Sequence, residues 1–537
     1  MIEDVDQAGQ PSDAARRAHR EELTPLSFLE RSVLVYPGRV AVTYEDRSYT
    51  YRELGERVNR LASSLLAAGL EKGDRVAYVS PNTPALIEAH FAVPLAGGIL
   101  VSLNYRQSAA DIGHIVDHCG ARFLFVDHEF EHLGAGAGRG VRIVRIDDTG
   151  APEDPYEALL AQGSPEPLAI ALEDENDAIT INYTSGTTGR PKGAVYHHRG
   201  AYLNALGEVI ETRLTSESVF LWTLPMFHCN GWCFVWAVTA VGGRHVCLRE
   251  VRPGPIWDLI DAEGITHYNA APTVQTGLIA HERAHPVGHQ ITTCVSGSPP
   301  SRELFAGLRE LGFMPIHVYG ATELYGPFMI CEWQPEWSDR PVDEQARLLN
   351  RQGVNYIAAC PVRVIDEDGA DVPADGASLG EVLMRGNTVM TGYFRDREQT
   401  DVVFADGWYH SGDLGVRHPD GYVELRDRKK DIIISGGENI SSIEVERAIA
   451  RHPAVAAVAV VSTPSEKWGE RPKAFVELLD GAQASPEEIL SFARQHLAGY
   501  MRPDAVELTK LTRTATGKVE KKALRDREWM GHDRKVG

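Results

Sequence analysis

The chain has 537 residues, and its 54 Lys and Arg against 75 Asp and Glu give a formal net charge of −21. This acidic balance leaves no basic surplus to neutralise phosphates, so it argues against a nucleic-acid-binding protein and against docking on an anionic membrane. Hydrophobic residues make up 43% of the chain, which is ordinary for a globular protein with a core.

The first 23 residues are a polar lead-in without the apolar stretch of a secretory signal. No run approaches the ~18 consecutive apolar residues that a membrane span requires. Seven cysteines are few, odd in number and scattered, which is typical of a reducing compartment. We therefore expect a cytoplasmic protein without a membrane span.

The chain then predicts alternating strands and helices. Residues 41–51 predict a β-hairpin, and Thr50 with Glu53 predicts a capping box at the start of a helix. Such alternation is typical of a parallel sheet covered by helices, so we expect an α/β fold. Hydrophobic periodicity predicts further strands at 75–80, 98–103 and 121–127, and further helices at 84–96 and 109–119.

The C-terminal part predicts a second, smaller domain. A charged run at 427–431 follows a predicted strand and indicates a boundary. Beyond it, helices at 442–451 and 486–497 and strands at 455–461 and 474–479 are enough for a small α+β domain.

The most informative segment follows a predicted strand at 178–182. Residues 183–193 read YTSGTTGRPKG. Its small residues leave backbone N–H groups accessible, its hydroxyls add donors, and Lys192 supplies charge, so the loop can wrap a polyphosphate. It has no Walker pattern, and composition alone leaves a polar turn as the alternative.

This pattern, with later motifs in the same order, resembles the adenylate-forming superfamily of acyl-CoA synthetases, peptide-synthetase adenylation domains and luciferases. The resemblance extends from about residue 24 to 525. Residues 224–234 (LPMFHCNGWCF) and 435–446 (SGGENISSIEVE) are most similar to short- and medium-chain fatty acyl-CoA ligases and 3-methylmercaptopropionate-CoA ligases. The resemblance implies a large N-terminal domain of parallel-rich sheets covered by helices (24–427), a hinge (428–431) and a small mobile α+β C-terminal domain (432–537).

The resemblance also implies which residues bind ATP and Mg²⁺. Tyr319 is implied to lie against adenine, and Asp413 to accept hydrogen bonds from ribose. Glu323 and Thr184 are the implied metal ligands, in keeping with the preference of Mg²⁺ for oxygen. The implied ATP or AMP contacts are Thr184, Ser185, Gly186, Thr187, Thr188, Gly189, Lys192, Gly297, Ser298, Pro299, Tyr319, Gly320, Ala321, Thr322, Asp413, Arg428 and Lys518.

Further residues are implied for the acid, for coenzyme A and for catalysis. His228 is implied to gate the passage between the acyl pocket and the thiol channel, and with Lys518, Glu323 and Thr184 it completes the implied catalytic set. Bulky pocket walls favour a small or medium acid. Trp232, Cys233 and Trp236 are expected to line this pocket with His228, Lys430 to be the hinge, and Ser435, Gly436, Gly437 and Trp468 to contact coenzyme A.

Together these features imply an ATP-dependent carboxylic acid–CoA ligase of fatty acid metabolism. It would form an acyl-adenylate and pyrophosphate, and then an acyl-CoA and AMP, using ATP, Mg²⁺ and coenzyme A. Its partner is a small carboxylic acid, and a homodimer is considered as its assembly. Two alternatives stay open: an adenylating enzyme that serves an amine, a carrier protein or nitrite for diazotisation, and a non-catalytic nucleotide-binding protein.

Overall fold

The computed structural model describes residues 20–138, 140–184, 191–297, 300, 302–513 and 519–532. The chain forms two compact units. The first extends to Glu250 and adds Ala321–Gly326 and Asn387–Arg397. The second comprises Val251–Gly320, Pro327–Gly386 and the chain from Glu398 onward. The boundaries implied by the resemblance, with a hinge at 428–431, stay a prediction.

Helices and strands follow one another along the described residues. The helices are α1 (Leu26–Val35), α2 (Tyr51–Ala67), α3 (Pro84–Leu95), α4 (Ala109–Cys119), α5 (Glu131–Gly134), α6 (Pro155–Ala161), α7 (His198–Thr212), α8 (Phe234–Val241), α9 (Pro253–Glu263), α10 (Pro272–Ile279), α11 (Arg302–Glu310), α12 (Val342–Leu349), α13 (Arg397–Val403), α14 (Ser442–Ile449), α15 (Pro486–His496) and α16 (Lys521–Glu528). The strands are β1 (Val40–Tyr44), β2 (Arg47–Thr50), β3 (Arg75–Val79), β4 (Ile99–Leu103), β5 (Ala121–Asp127), β6 (Arg142–Ile146), β7 (Ala178–Thr184), β8 (Lys192–His197), β9 (Val219–Leu221), β10 (Arg244–Val246), β11 (His267–Ala270), β12 (Ile291–Val295), β13 (Phe313–Ala321), β14 (Gly326–Ile330), β15 (Val354–Asn355), β16 (Arg363–Ile365), β17 (Gly380–Met384), β18 (Gly392–Tyr393), β19 (Tyr409–Arg417), β20 (Val423–Arg428), β21 (Ile433–Ser435), β22 (Glu438–Ile440), β23 (Val455–Ser465), β24 (Gly469–Leu478) and β25 (Ala505–Leu508).

A seven-stranded sheet forms the centre of the first unit, in the order β18-β8-β7-β4-β3-β5-β6. Strands β7, β4, β3, β5 and β6 are parallel, whereas β8 and β18 continue the sheet in antiparallel pairs. Strand β4 is buried at every position, as expected for a strand covered on both faces. The same unit contains the strand series β9-β10-β1-β2, which includes the predicted hairpin.

Local sequence signals explain where the helices of this unit begin and end. Thr50 and Glu53 form the predicted capping box at the start of α2. Helix α4 likewise begins at a capping box of Ser108 and Asp111, and it ends at Gly120 with φ +63°. Because only a residue without Cβ adopts this left-handed conformation at little cost, glycine stops the helix there.

The second unit contains three sheets. Strands β11, β12 and β13 are parallel, and β14 and β15 follow them in antiparallel pairing. Strands β16, β17, β19 and β20 form an antiparallel sheet. The third sheet, β22-β21-β24-β23 with β25 beside β24, packs against α14 and α15 through a buried apolar core. The expected α/β class with a smaller C-terminal α+β part is confirmed. Across the residues that the structure describes, no helix has the length and apolar character needed to cross a membrane.

Candidate functional site

The predicted phosphate loop connects two antiparallel strands. β7 ends at Thr184, β8 begins at Lys192, and these two residues lie directly opposite each other. The hairpin therefore places a hydroxyl and an ammonium group at the two ends of the loop. The following predicted site residues lie outside the described residues: Ser185, Gly186, Thr187, Thr188, Gly189, Ser298, Pro299 and Lys518.

The Glu323 carboxylate is held by a tyrosine that the sequence analysis missed. The Tyr393 hydroxyl donates a 2.7 Å hydrogen bond to Oε1 of Glu323, and Nζ of Lys192 lies 5.2 Å from the centre of the Tyr393 ring. Burial and the Glu323 carboxylate raise the pKa of Tyr393, so the phenol keeps its proton and donates. Strand β18 places this ring, because Tyr393 pairs with Ala194 beside the start of β8.

Glu323 suits magnesium better than a metal that needs several protein ligands. The carboxylate is partly exposed, and the bond from Tyr393 uses one of its roughly four acceptor positions. Among the described residues, no group of three or more His, Cys, Asp or Glu side chains could hold a metal ion. Mg²⁺ commonly takes one or two protein oxygens and completes its coordination with water and phosphate oxygens. The Glu323 carboxylate therefore fits this ion.

Two stacked tyrosines fix the backbone around Thr322. The Tyr196 hydroxyl donates a 2.6 Å hydrogen bond to the Thr322 carbonyl oxygen, and its ring stacks on Tyr325 with centroids 3.8 Å apart. The His197 backbone N–H donates to the Tyr325 hydroxyl at 2.7 Å. These tyrosines lie in different parts of the sequence, so no spacing could have revealed their contact. Together they orient the turn that presents Thr322 and Glu323.

His228 is followed by a turn of left-handed backbone. Residues 229–233 have φ values of +47°, +43°, +55°, +54° and +65°. For residues other than glycine this conformation costs ~1–2 kcal/mol each, so the surroundings must stabilise it. Sγ of Cys229 lies 3.4 Å from Oγ1 of Thr322 and 3.9 Å from both ring nitrogens of His228. The left-handed turn thus brings Cys229, the neighbour of the predicted gate His228, into contact with Thr322.

The three residues expected to line the acyl pocket have different environments. Trp232 is 6% exposed, and its ring lies so close to Gly326 that a Cβ there would be 2.7 Å from Cδ1. Cys233 and Trp236 are fully buried, and Nε1 of Trp236 donates a 3.3 Å hydrogen bond to the His90 carbonyl oxygen. Trp232 therefore packs against the segment that follows Glu323, whereas the other two lie in the core.

A second cluster lies within the second unit. The Tyr319 hydroxyl donates to Oδ2 of Asp413, and Nε of Arg428 is 3.3 Å from Oδ1. Asp413 and Arg428 are direct partners in the β19–β20 ladder. Burial and the Asp413 carboxylate raise the pKa of Tyr319, so its hydroxyl remains a donor. This cluster presents a carboxylate, a guanidinium and an aromatic ring, which can recognise ribose, phosphate and a base.

Three further predicted contacts of the nucleotide, and a serine that positions Asp413, lie on or beside strands β12, β13 and β19. The Ser411 hydroxyl donates to the Val382 carbonyl oxygen at 2.6 Å and accepts the Asp413 N–H at 3.0 Å, so it fixes the backbone of Asp413. Gly320 and Ala321 end strand β13. Gly297 follows β12 with φ +98°, a conformation that requires glycine.

The predicted hinge is a tight turn between β20 and β21. The backbone N–H groups of Asp431 and Ile432 both donate to the Arg428 carbonyl oxygen, at 2.8 and 3.1 Å. Burial and the neighbouring Arg428 guanidinium lower the pKa of Lys430. The Asp431 carboxylate pairs with Arg525 on α16.

The residues expected to contact coenzyme A are brought together. The Gly436 N–H donates to the Trp468 carbonyl oxygen at 2.8 Å, and a Cβ on Gly436 would lie 2.7 Å from Cε3 of the Trp468 ring. Ser435 pairs with Gly469 across the sheet. Gly437 has φ +89° and open space beside it, and the Trp468 side chain is 46% exposed. A narrow chain would therefore find space beside Gly437, whereas the Trp468 ring fills the space beside Gly436.

Comparison with known proteins gives matches over nearly the whole chain. The model of the AMP-binding enzyme family matches residues 29–394, and that of its C-terminal domain matches residues 444–518. The chain is 42% identical over 521 residues to 4-hydroxybutyrate–CoA ligase 2 of Metallosphaera sedula, covering 94% of each protein. It is 40% identical to the peroxisomal acetate/butyrate–CoA ligase AAE7 of Arabidopsis thaliana, covering 95% of each.

A solved structure shows the same fold. This is the O-succinylbenzoate coenzyme A synthetase of Bacillus subtilis in complex with ATP and a magnesium ion. It superimposes with a TM-score of 0.79 at 26% identity, over 93% of this chain and 98% of that one.

Proposed function

The chain belongs to the family of AMP-binding enzymes, and we propose that it is an ATP-dependent carboxylic acid–CoA ligase. The observation that carries this proposal is the cluster of Lys192, Glu323 and Tyr393 at the end of the β7–β8 hairpin. It combines a fixed carboxylate with an ammonium group, which is what a magnesium–polyphosphate complex requires. The relatives named above are CoA ligases, and the chain matches 94% and 95% of their lengths. This similarity favours coenzyme A over an amine, a carrier protein or nitrite as acceptor.

The first unit would bind the phosphates and the acid. Magnesium, when bound, neutralises phosphate charge, and Glu323 and Thr184 would hold it. The Lys192 ammonium adds positive charge at the other end of the loop. Thr322 would contact the α-phosphate, and Trp232 would limit the length of the acid. Catalysis of the first step is then positioning and charge neutralisation while the substrate carboxylate attacks the α-phosphate and pyrophosphate leaves.

The second unit would bind adenosine. Asp413 would accept hydrogen bonds from the ribose hydroxyls, and Arg428 would reach ribose or phosphate. The Tyr319 ring would lie against adenine, with the segment containing Gly297, Ser298 and Pro299 on the other side. The bond from Tyr319 to Asp413 supports this assignment, because it fixes the carboxylate before the nucleotide arrives.

The second step would deliver the acyl group to coenzyme A. We propose that Lys518 assists adenylation. Rotation of the C-terminal domain about Lys430 would then move Lys518 away from the acyl-adenylate and bring Ser435, Gly436 and Gly437 to it. The thiol attacks the acyl-adenylate, the thioester forms and AMP leaves. The open space beside Gly437 supports its assignment to the pantetheine arm. The two family matches, 29–394 and 444–518, leave the proposed hinge at 428–431 between them.

The substrate is proposed to be a small carboxylic acid, and the enzyme to act in the cytoplasm as a homodimer. The relatives act on 4-hydroxybutyrate and on acetate or butyrate, according to their names, and one of them is peroxisomal. All seven cysteines are free thiols, which fits a reducing compartment. Light scattering of the purified protein measures the assembly, and cell fractionation locates it.

The test is a panel of straight-chain, hydroxy-substituted and aromatic acids, assayed for pyrophosphate and AMP release with and without coenzyme A. A CoA ligase should turn over only with the thiol present and should give a thioester detectable by mass spectrometry. Multiple turnovers with an amine acceptor, or no pyrophosphate with any acid, would refute the proposal.

A further inference from the structure

Asn230 stands at the centre of a buried hydrogen-bond network beneath the left-handed turn. Its backbone N–H donates to Oδ1 of Asn182 at 3.0 Å, and its Oδ1 accepts from Nδ2 of Asn182. Its own Nδ2 donates to Nε2 of His90 at 3.1 Å and to Oγ of Ser102 at 3.2 Å. Asn230 is completely buried, so every one of these bonds replaces water.

The network has one consistent arrangement of protons. Nδ1 of His90 lies 2.6 Å from the Leu86 carbonyl oxygen, which can only accept, so Nδ1 carries the hydrogen. Nε2 is then an acceptor, and it requires an amide N–H such as that of Asn230. Burial lowers the pKa of His90 to about 4, which keeps the ring neutral. An aspartate at position 230 could not supply this donor.

The partners of Asn230 belong to rigid elements. Asn182 lies on β7, Ser102 on β4 and His90 on α3, so the turn is attached to the central sheet and to a helix that covers it. Gly231 packs on the Trp222 ring, where a Cβ would be 2.7 Å from Cζ3. Asparagine also tolerates positive φ better than most residues. Position 230 therefore needs both the backbone freedom and the side chain that asparagine offers.

We propose that Asn230 is a positioning residue for adenylation, which holds residues 229–233 in the left-handed turn and so keeps Cys229 beside Thr322 and the His228 ring beside Cys229. It touches neither substrate and acts through these neighbours. The catalytic part of this inference rests on the proposed function, in which His228 gates the acid and Thr322 contacts the α-phosphate. The structural part, that the side chain of Asn230 stabilises the turn, does not depend on that function.

The test uses three variants of the full-length protein. Asn230→Ala removes both the side-chain bonds and the tolerance of positive φ, whereas Asn230→Gly removes the bonds but keeps the backbone freedom. Ser64→Ala is the matched control, because it deletes one buried hydrogen bond, to the Leu159 carbonyl oxygen, in the same unit but outside the network.

The first measurement is the rate at which iodoacetamide alkylates Cys229 in the folded protein, followed by peptide mass spectrometry. Cys119 and Cys247, also buried in this unit, are internal references. We expect both Asn230 variants to accelerate the reaction of Cys229 about tenfold or more relative to the references, because the turn opens locally, and Ser64→Ala to leave the ratio unchanged. Equal acceleration at all three cysteines would overturn a local role.

The second measurement is the rate of pyrophosphate release. In both Asn230 variants kcat should fall about tenfold and the KM for the acid should rise, while the KM for ATP stays within about twofold. Parental kcat and parental protection of Cys229 in both variants would refute the inference. If Asn230→Ala does not fold, Asn182→Ala removes the two bonds that Asn182 makes to the backbone N–H and Oδ1 of Asn230, and it tests the network from strand β7. A parental chain that releases no pyrophosphate would refute the proposed function, while the alkylation ratio would still decide the role of Asn230.

Discussion

The Tyr393 hydroxyl donates its hydrogen bond to Oε1 of Glu323 over 2.7 Å, across 70 residues of sequence. The bond fixes the orientation of a partly exposed carboxylate before any ion arrives. It also links three segments of the first unit, because the Tyr393 ring lies beside Lys192 as well. Preorganisation of this kind lowers the cost of assembling a metal–phosphate site.

Tyr393→Phe should therefore weaken the use of magnesium and leave the fold intact. Loss of a hydrogen bond to a charged group is worth ~1.5–3 kcal/mol, so the magnesium concentration for half-maximal pyrophosphate release should rise about tenfold or more. Tyr422→Phe, which deletes another partly buried tyrosine hydroxyl in the second unit, is the control and should change nothing. An unaltered magnesium dependence in Tyr393→Phe would separate this tyrosine from the metal site.

Lys518→Ala should slow adenylation by ~10²–10³, the effect of deleting one preorganised charge partner. Transfer of the acyl group from supplied acyl-adenylate to coenzyme A should change little, because the lysine is proposed to leave before that step. The two half-reactions are timed separately, by pyrophosphate release and by single-turnover thioester formation. A similar loss in both would contradict the proposed exchange.

Lys430→Pro should keep adenylation and suppress thioester formation. Proline fixes φ near −65°, so the turn at 428–432 could no longer change its backbone angles between the two steps. Lys430→Ala is the matched control, since it removes the side chain but leaves the backbone free, and it should keep both half-reactions. Thioester formation at the parental rate in the proline variant would place the hinge elsewhere.

Trp232→Gly should shift the acid preference toward longer chains. Glycine accepts the φ of +54° at this position and removes the ring that packs on Gly326. The ratio of kcat/KM for octanoate over butyrate should rise by at least about tenfold, since octanoate has four more methylenes and each one that gains a pocket is worth ~1 kcal/mol. Trp236→Phe, at a completely buried tryptophan, should leave the ratio unchanged. An unchanged ratio in Trp232→Gly would remove this tryptophan from the acyl pocket.

Acid should destabilise the fold through buried neutral histidines. Burial lowers the pKa of His245 to about 3 and that of four other buried histidines to about 4, namely His90, His197, His198 and His317. The unfolded chain binds these protons near its ordinary pKa of ~6.5, before the folded chain does. The contribution of these neutral histidines to the free energy of unfolding is therefore complete above pH ~6.5. It falls as the pH drops toward 4, by ~3 kcal/mol for each histidine.

Urea denaturation between pH 8 and 4.5 measures this loss. The free energy of unfolding should decrease steadily below pH ~6.5. His245→Gln should reduce that slope by up to one proton, whereas Ser64→Ala, which deletes a buried hydrogen bond without removing a titratable group, should not. Equal slopes for all three proteins would show that His245 is charged in the fold.

Features that depend on neighbouring residues were predictable from the sequence. Thr50 and Glu53 of the capping box are three positions apart, and continuous apolar runs mark β3 and β5 as buried strands. The contacts of the site were not predictable, because Tyr393 is 70 residues from Glu323 and Asn230 is 48 residues from Asn182. Such pairs are brought together by tertiary packing of turns against strands, which leaves no periodic trace in the chain.

The left-handed turn could not be predicted from the sequence, for a different reason. Asn230 and Gly231 are compatible with positive φ, but Cys229, Trp232 and Cys233 adopt it against their own preference. In this turn tertiary contacts override local propensity, as they often do at functional sites.

The pairing of Thr184 with Lys192 determines how this enzyme would tolerate insertions and deletions in strand β8. Side chains alternate between the faces of a strand, so a slip of one residue in β8 would turn Lys192 and every apolar side chain of that strand to the opposite face. A variant library should therefore keep the length of β8 unchanged. An insertion or deletion within 192–197 would shift the pairing of β8 with β7 and would also move the Lys192 ammonium group to the other face of the sheet.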